Sequence, residues 1–193
     1  MILSAAVILG LAAGLFRAWI GKRTYRIIDL RLPGLVLFAF VPQWLAFFQT
    51  RLGYRLPDDW APYLLVSSQV VLLVFAWLNR KQPGFLLLGS GLILNFLVII
   101  TNGGLMPISP GTVRKIYPNA PRTSWQIGKR LGSGKDIVLP AEWTNLAFLS
   151  DRWILPDWVN IQVAFSVGDV FIALGAFWLL WTLGGSHLET TRG

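Results

Sequence analysis

Apolar residues run along this chain in five long stretches, 2–20, 32–48, 61–78, 84–100 and 163–183, separated by three short polar joins and one long one. At about 1.5 Å of rise per residue, a helix needs roughly 20 mostly apolar residues, within a range of about 17–25, to cross the hydrocarbon of a bilayer. The pattern predicts an all-α, polytopic integral membrane protein with five transmembrane helices in one membrane domain. The second stretch is the weakest: it is short, it holds Pro42 and Gln43, and it either kinks or borrows Ile27 and Ile28 for length. If it re-enters instead of crossing, four crossings remain and the N-terminus changes side, against the charge bias of the first loop.

That bias sets the orientation. Arg17, Lys22, Arg23, Arg26 and Arg31 face a single Asp29 between the first two spans, and Arg80 with Lys81 joins the third to the fourth. Positive short loops stay in the cytoplasm. The join between spans two and three balances Arg51 and Arg55 with Asp58 and Asp59, so it lies outside with the N-terminus, and the C-terminus lies inside. The first stretch lacks a basic leader and carries its charges after it, which predicts a retained helix instead of a cleaved signal.

Residues 101–161 are rich in proline, glycine and charge, and no run in them is long enough to span. They are expected to form one long extracytoplasmic loop or cap between helices 4 and 5. Ser109-Pro110 reads as the N-cap and first-turn proline of a short helix through Thr112 and Tyr117. Residues 137–139 suggest a brief strand, and residues 146–149 with Trp153 and Trp158 suit the membrane interface. Gly128, Gly132 and Gly134 among Lys129, Arg130 and Lys135 suggest a mobile basic turn. With no disulfide to hold the cap down, Trp125, Trp143, Trp153 and Trp158 are expected to supply its apolar contact with the membrane domain.

Composition narrows the chemistry. Hydrophobic residues are 54% of the chain and charged residues 13%, about half the roughly 25% of a soluble domain. The absence of Cys removes thiol, disulfide and iron–sulfur chemistry, and a single His with Met 2 speaks against haem or a multi-histidine metal site. No cofactor and no metal is expected. The net charge of +8 is explained by residues flanking spans and meeting anionic lipid, so the bilayer, not nucleic acid, is the expected partner.

Two motifs flank the cap: Thr101-Asn102-Gly103-Gly104-Leu105-Met106-Pro107-Ile108 closes the fourth span, and Phe165-Ser166-Val167-Gly168-Asp169-Val170 enters the fifth. With Thr144-Asn145-Leu146, Phe148-Leu149-Ser150-Asp151 and Pro156 between them, the chain resembles domain-of-unknown-function family 5317. That family comprises small bacterial membrane proteins with an Asn-Gly-Gly/Arg-x-Met-Pro turn after a hydrophobic helix and a Ser-Ile/Val-Gly-Asp-Val start to the last one. The resemblance implies a multi-pass protein of the bacterial inner membrane, and no established reaction. Members often carry a His near the position of Asp136 and a basic residue at that of Asn145; an activity resting on those two residues would be missing here.

In this orientation the polar residues within spans share the outer leaflet: Gln43 in span two, Ser67, Ser68 and Gln69 in span three, Asn95 in span four, and Ser166 with Asp169 in span five. Asp169 is expected about 10 Å below the outer surface. There a carboxylate is costly unless it is paired, wet or protonated. Gln69 and Asn95 are candidate partners, and so is the Asn102–Gly104 turn at the same depth. Asn102-Gly103-Gly104 reads first as a helix C-cap able to take positive φ, and second as a nest of amides for an anion. Gly168 reads as a close helix approach, as do Gly89-Ser90-Gly91 and Gly175. Arg17 is expected to snorkel to the cytoplasmic headgroups, and His187 to be solvated in a polar tail.

Two function classes remain. The first is a non-catalytic accessory or assembly subunit packing against other membrane protein subunits, favoured by the lack of His, Cys and paired acids; enzyme activity is the less expected outcome. The alternative is an outer-leaflet pocket, roofed by the cap, that binds or moves a small polar or lipid-headgroup ligand through Asp169 and Asp151. Five spans show neither the inverted repeats of a transporter nor the nucleophile and base of a lipid hydrolase.

Overall fold

The computed structural model describes residues 2–25, 29–47, 57–159 and 162–185. Ile27, Ile28, Arg51, Arg55 and His187 lie outside them. Five long apolar helices form: α1 (Ile2–Ile20), α2 (Gly34–Phe47), α3 (Ala61–Leu78), α4 (Phe85–Thr101) and α6 (Val167–Leu183). A short amphipathic helix, α5 (Pro110–Ile116), sits between the last two. By length and composition, two stretches suffice to cross a membrane, Ile2–Ile20 and Asp58–Leu78, while α2, α4 and α6 are shorter apolar helices.

The second expected span begins late, at Gly34, because Leu32 takes a left-handed φ of 49° and Pro33 follows it. From there α2 is one continuous helix with Pro42 inside it. The last helix also starts later than expected, at Val167, and Asp169 is in its first turn instead of deep within a span. Ser166 fixes that start as N-cap, through a reciprocal capping box with Asp169.

The long helices pack in an open row, α2–α3–α4–α6–α1. Neighbours in the row run antiparallel except the last pair, α6 and α1, which run parallel. At one end, the cap meets the C-termini of α2 and α4 and the N-termini of α1, α3 and α6: Gly104 abuts Pro62, Arg130 lies 5.2 Å from the Phe47 ring, and Leu155 and Phe165 share a groove with Ile2. At the other end, Arg23 donates to Gly185 O at 2.7 Å, Tyr25 to Leu180 O at 3.0 Å, and Asn79 exchanges bonds with the Arg31 backbone at 2.8 and 3.1 Å.

Glycine sets the closest approaches. Gly84 and Gly91 of the α4 strip face Gly175 and Gly168 of α6, and a Cβ on any of the four would overlap the opposite backbone. Gly10 and Gly14 of α1 lie equally close to Phe177 and Leu180. Small residues at such spacing let helices approach without a hydrophobic drive. Gly89 differs, since its Cβ would meet only the Ala76 methyl at 3.6 Å.

The cap is not purely helical. Strand β1 (Met106–Ile108) pairs in parallel with β2 (Asp136–Val138), one residue earlier than expected, and β3 (Trp153–Ile154) pairs antiparallel with β4 (Ala164–Phe165). The chain is therefore mostly helical with two small sheets. Ser109 caps α5 as its sequence suggests, accepting from Thr112 N–H at 3.0 Å.

Aliphatic side chains, not the four tryptophans, order the cap. Leu105, Met106 and Leu149 pack with Leu65, Val98 and Ile99 of the helices, while Ile108, Val113 and Val138 form a second cluster. Trp125 alone is half-buried there; Trp143, Trp153 and Trp158 remain 65%, 53% and 82% exposed. The expected mobile turn is instead stapled. The Arg130 side chain, 5% exposed, donates from Nε to Gly134 O and from Nη2 to Ser133 O, both at 2.6 Å, and from Nη1 to Asp58 at 3.2 Å.

Candidate functional site

At the cap end of the α4–α6 pair, three residues close a polar knot through four hydrogen bonds. Asn95 donates from Nδ2 to Asp169 Oδ1 at 2.9 Å, and Ser166 Oγ donates to Asn95 Oδ1 at 2.8 Å. The Ser166 N–H donates to Asp169 Oδ2 and the Asp169 N–H to Ser166 Oγ, each at 3.0 Å. Asp169 thus has both oxygens engaged, and Gly168 brings α6 near enough that a Cβ there would fall on the Asn95 amide. Of its expected partners Asn95 is the one it finds.

Asn102 does something else. Its amide pairs with the cap, donating to Asn145 O and accepting from the Asn145 N–H, both at 2.9 Å, while Asn145 Nδ2 donates to Thr101 O at 2.8 Å. The turn beyond it is a helix C-cap: Gly103 and Gly104 have φ of 82° and 86°, and the Gly104 N–H returns to Ile99 O at 2.9 Å. That 6→1 bond is the Schellman arrangement. The proposed link from this turn to Asp169 does not form, because Asn145 supplies the amide that Asn102 requires.

Asp151 stands apart as a buried acid. Its backbone N–H pairs with Pro107 O at 3.1 Å, extending β1, and its side chain is 2% exposed. Oδ2 accepts from Lys135 Nζ, whose other partner is Asp136 Oδ1 at 3.2 Å; Oδ1 is buried without a hydrogen bond. Burial pushes the Asp151 carboxyl up, against the pull of the Lys135 ammonium, and the charges of Asp136 and Asp169 add to the rise. Burial works against the Lys135 charge too, but Asp136, Asp151 and Asp169 outweigh it and hold the lysine above its usual range.

The remaining candidates sit in the helix row. Gln43 Nε2 donates to Ser68 Oγ at 2.7 Å, joining α2 to α3. Gln69 is buried with Oε1 unpaired; the α3–α4 register, set by Gly104 on Pro62 and Gly89 on Ala76, puts it level with Asn95. Arg17 stacks over the Trp181 ring at 4.5 Å. Among the described residues, no group of three or more His, Cys, Asp or Glu could hold a metal ion.

Sequence reading missed Lys135 and Arg130 as structural cations and Gly10 and Gly14 as packing positions. The Gly-x-x-x-Gly spacing was a usable signal, and so was Ser-x-x-Asp at 166–169.

The knot gives a mutational expectation. Asn at 169 offers one acceptor where two donors now converge, so Asp169→Asn should cost about 1 kcal/mol, and Asp169→Leu, stranding both donors, about 3 kcal/mol. Thermal unfolding in detergent reads the difference; equal stability of the Asn variant and the parent would refute the double-acceptor role.

Comparison with known proteins places these motifs. The profile of a family of unknown function (DUF5317) matches residues 27–181. An uncharacterized protein of Thermotoga maritima is 26% identical over 126 residues, which cover 61% of this chain and 62% of that protein. The chain thus spans less than two thirds of that relative's length. No solved structure matches.

Proposed function

We propose that this chain, which belongs to the family of unknown function DUF5317, is a five-span protein of the bacterial inner membrane that serves as a non-catalytic accessory or assembly subunit, packing against other membrane proteins. Its N-terminus and cap lie outside and its C-terminus in the cytoplasm. The observation that carries this reading is the open row of helices. Its end members, α1 and α2, each have a packed neighbour on one side. They expose Ile8, Phe16 and Trp19, and Leu37, Phe38 and Trp44, respectively. Apolar surface on that scale belongs against lipid or another chain.

The polar ends support the orientation. Lys22, Arg31, Arg80 and Lys81 gather at the end opposite the cap, the bias of a cytoplasmic face. Both α4 and α6 have 17 residues, about 25 Å of helix against roughly 30 Å of hydrocarbon. Such a mismatch favours local thinning or association with neighbouring helices.

The alternative, a ligand pocket at Asp169 and Asp151, keeps one supporting observation, the unpaired Asp151 Oδ1. Asp169 is taken by the knot. Purification from native membrane in a mild detergent separates the two. The subunit reading expects a stoichiometric membrane partner, and a lone chain recovered under conditions that preserve known complexes contradicts it.

A further inference from the structure

The cap holds a groove of about 390 Å³, lined by Tyr117, Ser124, Trp125, the turn at 131–134 and Asp136, with no residue of the long helices among them. That volume falls within the roughly 300–1,000 Å³ of small-molecule sites. Its walls are preformed. Trp125 packs on the Ile108, Val113 and Val138 cluster, and the turn is fixed by Arg130, by Leu131 N–H to Asp136 O at 2.8 Å and by Gly134 N–H to Leu131 O at 3.1 Å.

The lining selects a chemistry. Tyr117, 52% exposed, and Trp125 offer flat apolar area at small rotamer cost. Asp136 gives Oδ1 to Lys135, and its Oδ2 makes no hydrogen bond among the described residues. A cation is disfavoured, since Lys135 already answers Asp136 and residues 101–161 hold seven basic against four acidic side chains. An anion is disfavoured as well, because no Lys or Arg side chain lines the groove. What remains is an uncharged ligand with an apolar face and hydroxyl donors.

We propose that this groove binds a neutral saccharide, with a ring face against Trp125 and Tyr117 and a hydroxyl donating to Asp136 Oδ2. The site is separate from the helix faces assigned to partner packing, so either can stand without the other. Full-length protein in nanodiscs, titrated calorimetrically with chitotriose and with maltotriose, tests it. Binding of at least one sugar at one site per chain is expected. Tyr117→Ala should weaken that binding at least tenfold with the melting temperature unchanged, Asp136→Ala should weaken it as much while also costing the Lys135 contact, and Trp143→Ala, outside the groove, should leave binding as it was. The proposal is overturned if neither sugar binds, if both groove variants bind like the parent, or if inorganic phosphate or tetramethylammonium binds there more tightly than the sugars.

Discussion

Arg130→Met should loosen the cap from the helices at a cost of about 1–3 kcal/mol, the range for losing charge-assisted hydrogen bonds, since Asp58 on the other side of the ion pair is half-exposed. The guanidinium is almost wholly buried, and its Nε, Nη1 and Nη2 hold Gly134 O, Asp58 and Ser133 O over the Phe47 ring. Methionine refills the apolar volume but leaves two carbonyls without donors. Lysine keeps the charge and loses the planar fork, so Arg130→Lys should recover little of the loss. Limited proteolysis of detergent-solubilised protein reads this directly: cleavage after Lys129 or Lys135 should rise steeply in both variants. Protection equal to the parent would show that the staple does not hold the cap.

Gly168→Val should be the most damaging single change in the helix row. A side chain there lands on the Asn95 amide and the Gly91 backbone, so it parts α4 from α6 and opens the polar knot at once. Overpacking costs about 1–3 kcal/mol, and each donor left stranded adds about 1–3 kcal/mol. Gly89→Val supplies the contrast, because Gly89 faces only a methyl at 3.6 Å and should cost much less. Melting temperatures of the two variants, measured side by side, should separate clearly. Similar losses would mean that α4 and α6 do not depend on the glycine contact.

How much of this was readable beforehand follows from the physics of each feature. Long apolar runs announce helices because burial in lipid or protein demands them, and all five expected stretches contain one. The start of α6 lies later than the apolar run because hydropathy does not see a capping box; Ser166 and Asp169 begin the helix at Val167 by hydrogen bonding. The cap core eluded reading for another reason. Met106 and Leu149 in one cluster, and Ile108 and Val138 in the other, are distant in sequence and are brought together by the β1–β2 pairing and the Asp151 bridge.

Asp169 was recognisable as a costly acid needing a partner, and Asn95 as one that could serve. The competing choice of Asn102 failed because that side chain spends itself on the Asn145 backbone. Arg130 was unreadable in principle, since its acceptors include main-chain carbonyls that no residue type reveals.

The chain has no cysteine, which opens one clean test of the five-span arrangement. Lys129→Cys in the cap and Lys81→Cys at the opposite end place single thiols at exposed positions. A membrane-impermeant maleimide added to intact cells should label Lys129→Cys, and should reach Lys81→Cys only after lysis. Labelling of Lys81→Cys alone in intact cells would invert the orientation, and labelling of both or recovery of the protein without the membrane fraction would contradict the five-span reading itself.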